Sequence, residues 1–358
     1  MMNLEKLHPD CRHFRGHIPC SPHKKHGVHC DDCTYYEPLT GRILIIKLGA
    51  IGDVIRSTPI LHRLKKEYPK AEIFWLTQTP IVVPKFFVDH VLPYDHVSLT
   101  WLRELSFDLL INLDKDADAC ALANSLAAGK KIGFLLKDGR PWPADENAVH
   151  KFMTGLFDDL SKANTKSYPQ ELFELCGYEF HGEKYILDTF EGQYEWPIDK
   201  SQKVIGLNTG CGSRWTSRLW PEEYWIELAQ RLLQKGYFVL LLGGKEEDAK
   251  NRHLARESGA VYLGHFPLRQ FINEINQCDL VVTAVTLAMH ITIGLGKKIV
   301  LFNNTFNRHE FELYGLGEIL EPEFDCDCYY AQECPNNCMQ YIYVDRVLQT
   351  IEKILNSE

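Results

Sequence analysis

Short apolar runs alternate with helical patterns along most of the chain. Residues 43–47 (ILIIK) form an almost unbroken apolar run, as a strand covered on both faces requires. A turn with Gly49 and Gly52 follows, and from Asp53 onward Val54, Ile55, Leu61 and Leu64 recur at helical spacing. The alternation continues with strands predicted at 73–77, 88–93, 107–113 and 131–134, and a helix of small apolar residues at 117–128. Residues 147–177 read as mostly helical. Residues 181–202 lose the period and carry Gly182, Gly192 and Pro197, which predicts a linker. The pattern then restarts. A strand at 204–207 leads into a Gly-Cys-Gly-Ser loop within 208–217 and a helix at 221–234 with Pro221 in its first turn. A strand at 238–242 ends in Gly243-Gly244 and precedes a charged helix from Glu246. Strands at 280–283 and 299–302 flank an amphipathic segment at 286–295, and an amphipathic helix at 344–355 closes the chain.

Repeated strand–helix alternation predicts α/β architecture with parallel sheets and right-handed crossovers. Two such halves imply two Rossmann-like domains facing a cleft at the C-terminal ends of their strands. The expected division is a Cys/His-rich segment at 1–40, a first domain at 41–190 and a second at 200–358. A glycine turn between strand and helix aims the helix N-terminus at the site, so Asp53 stands at its mouth. Asp53 is then either a helix cap or a carboxylate that works on the ligand. A dinucleotide oxidoreductase is disfavoured. The turn is G-x-x-G-D, and the second strand ends at Thr77-Gln78 with no acidic residue to hold a ribose.

The chain has 358 residues, 45% of them apolar and 24% charged, which suits a globular protein of two full cores. A formal charge of -9 argues against a general nucleic-acid partner. No apolar run approaches a membrane span and the opening MMNLEKLHPDC has no apolar core of an export signal, so a cytoplasmic location is expected. In that setting the twelve cysteines read as metal ligands sooner than as disulfides. Cys11, Cys20, Cys30 and Cys33 lie among histidines in a segment with no regular period. Cys30-x-x-Cys33 is half of a thiolate site, with Cys11 and Cys20, or His13, His23, His26 and His29, able to complete it; a disulfide or free thiols are the alternatives. Cys326, Cys328, Cys334 and Cys338 fall within thirteen residues and form the stronger metal pattern, against a surface loop of unpaired thiols. Cys120, Cys176, Cys211 and Cys278 are isolated, and most are expected in the core.

Three stretches, RILIIKLGAIGDVIRSTPIL, GCGSRWTSRLWPEEYW and CDLVVTAVTLAMHI, resemble in order and spacing the signature stretches of glycosyltransferase family 9, the bacterial heptosyltransferases. The resemblance implies a GT-B fold and inverting transfer of heptose from ADP-heptose, or another nucleotide-diphosphate sugar, with no obligatory catalytic metal. It implies a lipopolysaccharide-core glycolipid as acceptor, with peripheral contact to the inner membrane. It assigns Asp53 as the base that deprotonates the acceptor hydroxyl. It places the donor against Gly210, Cys211, Gly212, Ser213, Arg218, Glu247, Thr286, Met289 and His290. Arg218 stands where the family commonly has Lys, and it adds bidentate geometry toward phosphate. Glu247 resembles the acid that holds the donor ribose, with a solvated helix carboxylate as the alternative. The third stretch departs from the family. Val285 replaces an Asp and Leu287 a Gly, which removes a carboxylate and adds a side chain near the phosphates. Family relatives that glycosylate autotransporters carry a four-cysteine iron finger, so residues 326–338 raise a protein acceptor and a structural zinc or iron. The rival expectation is a catalytically silent relative, a metal-stapled interaction or assembly protein.

Overall fold

A computed structural model describes residues 4–190 and 194–356; Gly192 of the expected linker lies outside them. The contacts of the folded chain divide it into two units. One holds the residues up to Gly49 with Ile60–Val149, the other Ala50–Pro59 with the chain from His150 onward.

The first unit is a six-stranded sheet of β1 (Arg42–Ile46), β2 (Glu72–Thr77), β3 (His90–Pro93), β4 (Ser106–Asn112), β5 (Ala127–Lys137) and β6 (Arg140–Pro143), in the order β3-β2-β1-β4-β5-β6. β1 is central and buried from Ile43 to Ile46, which is why its run is apolar without alternation. Lys47 ends that run because its ammonium pairs with buried Asp114 and donates to the Gly49 carbonyl at 2.6 Å, while Asp114 also accepts from Leu48 N–H. All pairings are parallel except β5 with β6, a hairpin turning at Asp138-Gly139, both at positive φ. Asp-Gly is a strong signal for that turn, and periodicity alone passed over it. The helix expected at 117–128 stops at Ser125, because Ala127 and Ala128 pair with Ser106 and Phe107 to begin β5.

The N-terminal cysteine segment is more regular than its composition suggests. It forms a short helix, Ser21–His26, started by Cys20, whose sulfur accepts from His23 N–H at 3.4 Å. Arg12 pairs with Asp89 and with Glu37, the latter at 2.8 Å, which ties the segment to the start of β3.

The single helix expected from Asp53 is two, Ile51–Ser57 and Ile60–Glu67. Pro59 has no N–H to carry the helical ladder across.

The second unit holds β7 (Val204–Asn208), β8 (Phe238–Leu242), β9 (Val261–Tyr262), β10 (Leu280–Ala284), β11 (Lys298–Phe302) and β12 (Gly317–Leu320). All are parallel, in the order β12-β11-β10-β7-β8-β9. Read from β9, that is the dinucleotide-fold order 3-2-1-4-5-6. Pro221 caps the helix Glu222–Gln234 instead of starting inside it. Trp220 and Trp225 from this region pack on Phe302 in the core. The closing helix, Val344–Asn356, buries Val344, Val347, Leu348, Ile351 and Ile354 on one face, as its period predicts. The segment expected to be amphipathic is instead a helix, Leu287–Gly294, buried from Ala288 to Ile293. It packs against β10, β11 and the helices Ile51–Ser57 and Leu268–Asn276, so it has no solvent face to pattern.

Candidate functional site

Ligands in such sheets bind outside the C-terminal ends of the strands, where the strand order reverses. In the second unit that point lies between β7 and β10, and a cleft of about 600 Å³ opens there. Its walls are the loop after β7 (Gly210, Cys211, Gly212), the Gly243-Gly244 turn after β8, and Val285 to Ala288 with His290 after β10. The start of the helix Ile51–Ser57, from Ala50 to Asp53, completes it.

Asp53 is not the N-cap residue, which is Ala50, but it caps the helix start from the third helical position. It sits in the first turn, and its Oδ2 accepts from Ala50 N–H at 3.2 Å. Its Oδ1 pairs with Arg56 one turn on, at 2.8 Å. Arg56 also pairs with Glu310 at 2.7 Å and stacks on the Tyr168 ring at 3.7 Å. These contacts fix the Asp53 carboxylate from behind while the residue lines the cleft. Periodicity missed Arg56 and Glu310, which are 254 residues apart in sequence.

His290 packs against the same helix. A Cβ at Gly52 would run into its imidazole, so Gly52 serves a close approach of side chain to helix. Burial pushes the His290 pKa down to about 3, Arg56 adds to that, and Asp53 opposes it. The ring is therefore neutral at ordinary pH, and its Nδ1 has no partner among the described residues. A neutral imidazole has one donor and one acceptor nitrogen.

The loop after β7 is held from below. The Asn208 amide donates to the Gly210 carbonyl at 3.1 Å, to Thr283 Oγ1 at 3.0 Å and to Thr286 Oγ1 at 3.3 Å. Glu247 lies under the glycines. A Cβ at Gly210 would collide with its side chain, and its carboxylate accepts from Gly212 N–H at 3.2 Å and Gly244 N–H at 2.9 Å. It is thus neither lining the cleft nor freely solvated. Arg218 reaches into the cleft between Trp215 and Phe306, with its guanidinium carbon 5.3 and 5.5 Å from the two ring centres. It donates to the Val285 carbonyl, and its Nε has no partner among the described residues. Val285 therefore meets Arg218 through its backbone, and Leu287 lines the cleft.

The cleft brings together Asp53, Gly210, Cys211, Gly212, Arg218, Thr286 and His290. It does not include Ser213, which is exposed, or Met289, which is fully buried in the helix core. Phe266, Leu268 and Phe271 form an apolar wall that the motif reading passed over, because apolar residues between elements look like core.

None of the cysteines forms a disulfide. Cys120, Cys176 and Cys278 are buried, whereas Cys211 is part-exposed in the cleft wall. The sulfurs of Cys326, Cys328, Cys334 and Cys338 all lie within 4.8 Å of one another, with Cys326–Cys334 and Cys328–Cys338 at 3.5 Å. A tetrahedral ion with bonds of about 2.3 Å to sulfur sets the sulfurs about 3.8 Å apart, close to the spacing found here. Cys11, Cys20, Cys30 and Cys33 line one cavity of about 30 Å³ with His8 and His13. Among the described residues, only the C-terminal four meet the 4.8 Å grouping.

Two sheets in dinucleotide-fold order, with a glycine loop at a strand-order reversal, are the architecture of the GT-B fold. Residues 99–314 match the model of glycosyltransferase family 9 (heptosyltransferase), and the chain belongs to that family. Lipopolysaccharide heptosyltransferase 2 of Salmonella typhimurium is 25% identical over 292 residues, covering 72% of this chain and 81% of that protein. The family 9 glycosyl transferase from Veillonella parvula superposes with a TM-score of 0.69 at 18% identity, over 90% of this chain and 99% of that one. The E. coli ADP-heptose lps heptosyltransferase II superposes with a TM-score of 0.64 at 18% identity, over 88% and 98%. Among the described residues, no helix is long and apolar enough to cross a membrane.

Proposed function

We propose that this enzyme moves a heptosyl group, with inversion, from ADP-heptose or a closely related nucleotide-diphosphate sugar to a hydroxyl of a lipopolysaccharide-core acceptor. The observation that carries the reading is one cleft lined by Asp53, the Gly210–Gly212 loop and Arg218. The Asp53 carboxylate takes the acceptor hydroxyl proton as that oxygen attacks the anomeric carbon. The bond from that carbon to the diphosphate breaks on the opposite face. Charge builds on the leaving diphosphate, and Arg218 and the loop are placed to receive it. Neutral His290 supplies a further hydrogen bond, and Phe266 and Phe271 suit a flat purine ring. Glu247 supports the loop.

A structural zinc or iron at Cys326, Cys328, Cys334 and Cys338 belongs to the same proposal, since the sulfurs are already spaced for it. A second ion would be held by Cys11, Cys20, Cys30 and Cys33, which line one cavity. A lipopolysaccharide acceptor is favoured over a protein because the matched relative is named for lipopolysaccharide. A silent relative loses ground because Val285 and Leu287 leave the cleft open. The test is ADP binding by calorimetry, paired with sugar transfer from ADP-heptose. At 100 times its dissociation constant, ADP adds about 2.7 kcal/mol to stability. No melting shift at millimolar ADP would refute the donor reading.

A further inference from the structure

The C-terminal cysteine cluster and the donor loop meet at one side chain. The Asn304 amide nitrogen donates to the Ser217 carbonyl at 2.8 Å and lies 3.3 Å from Cys338 Sγ and 3.9 Å from Cys328 Sγ. Two hydrogens are available on that nitrogen, one for the carbonyl and one for sulfur. Ser217 immediately precedes Arg218. The same serine is gripped a second time by the cysteine loop. Its N–H donates to the Gln332 carbonyl at 2.9 Å and its hydroxyl to the Ala331 carbonyl at 2.7 Å. Ala331 N–H in turn donates to the Cys328 carbonyl at 3.0 Å, so the residues that hold Ser217 are themselves placed by a cysteine. On the other side of the cluster, Tyr330 N–H donates to the Thr305 carbonyl at 2.8 Å, next to Asn304.

We infer that Asn304 is a positioning residue that couples an ion held by Cys326, Cys328, Cys334 and Cys338 to the placement of Arg218 for the donor diphosphate. The inference rests on the proposed role of Arg218. Its physical basis is charge. A bound ion requires thiolates in place of thiols, and an N–H facing a thiolate makes a stronger hydrogen bond than one facing a thiol. Loading the cluster therefore holds the Asn304 amide in the orientation whose other hydrogen meets the Ser217 carbonyl. Emptying it weakens that hold and loosens the peptide that precedes Arg218. Arg218 sits between Trp215 and Phe306 with one nitrogen unmatched, so a small shift of its backbone redirects its donors. Binding couplings are reciprocal. The ion tightens ADP by the same factor by which ADP tightens the ion.

The test uses full-length protein loaded with cobalt(II), whose thiolate charge-transfer band reports on the sulfurs, and ADP as the probe. Wild type should bind ADP more tightly loaded than stripped, by about tenfold, the lower end for a hydrogen bond to a charged group. Added ADP should also shift the cobalt–thiolate band. Asn304→Ala and Asn304→Asp should hold cobalt yet bind ADP about tenfold more weakly and show no ADP-dependent shift. A fold support role alone would not move that band. Should either variant fail to hold cobalt, loaded against stripped wild type decides the matter: equal ADP affinity in the two overturns the coupling. Wild-type affinity and a normal band shift in Asn304→Ala also overturn it. Arg218→Ala separates the two levels. If it leaves ADP affinity unchanged, the donor reading fails; if it weakens ADP while Asn304→Ala does not, only the coupling fails.

Discussion

Replacing Asp53 by Asn tests the proposed base with little change of shape. The carboxamide keeps an oxygen for Ala50 N–H, now 3.2 Å from Oδ2, so the first helical turn keeps that contact. It loses the charge facing Arg56, at 2.8 Å. Arg56 retains Glu310 at 2.7 Å and the Tyr168 ring beneath it, so its guanidinium is not left uncompensated. The lost pair is partly solvated, with 32% of the Asp53 side chain exposed, and such pairs contribute up to about 1 kcal/mol. For a unit of this size that lowers the melting temperature by about 2–4 °C. Turnover should fall far more. A positioned general base contributes about 10²–10⁴ in rate, or roughly 3–5 kcal/mol of barrier. ADP affinity should stay within about twofold, because the diphosphate is assigned to Arg218 and the loop. The assay is sugar transfer under saturating donor, with calorimetric ADP affinity and a melting curve on the same preparation. A variant retaining more than about a tenth of wild-type turnover lies outside the range for a general base and refutes the assignment. A drop in activity that only tracks folded protein refutes it equally.

Arg218→Ala should weaken ADP by about 1.5–3 kcal/mol, the value of a hydrogen bond to a charged group, and unchanged calorimetric affinity would displace the diphosphate from this loop. Protein purified without added metal should carry about one equivalent of zinc or iron that Cys338→Ser removes, and less than about 0.3 equivalents by elemental analysis would count against the site. Glu274 is buried with both carboxylate oxygens unpartnered, and burial raises its pKa to about 8. It stays protonated in the folded chain where the unfolded chain has ionised it, so its contribution falls as pH rises from about 4.5 to about 8, by about 1.4 kcal/mol per pH unit. Glu274→Gln should therefore be more stable relative to wild type at pH 8 than at pH 5, and equal differences in denaturant melts at both values would refute this. His290 supplies an opposite slope, since its depressed pKa costs stability as pH falls from about 6.5 toward about 3, and comparing wild type with Glu274→Gln cancels it.

Much of this protein was legible in one dimension. Apolar runs without alternation, such as Ile43–Ile46, mark strands covered on both faces, and their recurrence gave two parallel-sheet halves. Four cysteines within thirteen residues marked the C-terminal cluster, because ligands from one short loop are necessarily close in space. The glycine turn placed Asp53 at the head of its helix, since strand, turn and helix are contiguous. Wherever the deciding partner is remote in the chain, the local pattern ran out. The reason Gly52 must be glycine is an imidazole 238 positions later, and the partners that fix Asp53 include Glu310 through Arg56. The helix Leu287–Gly294 has no amphipathic stripe because two strands and two helices cover it, a fact no period can carry. Met289 looked like a donor contact by its place in a motif, and packing turned it into the core. Local sequence sets which elements form, since propensity and period act over a few residues. Which side chains share a cleft depends on packing between elements far apart in the chain, and that is settled only when the tertiary contacts close.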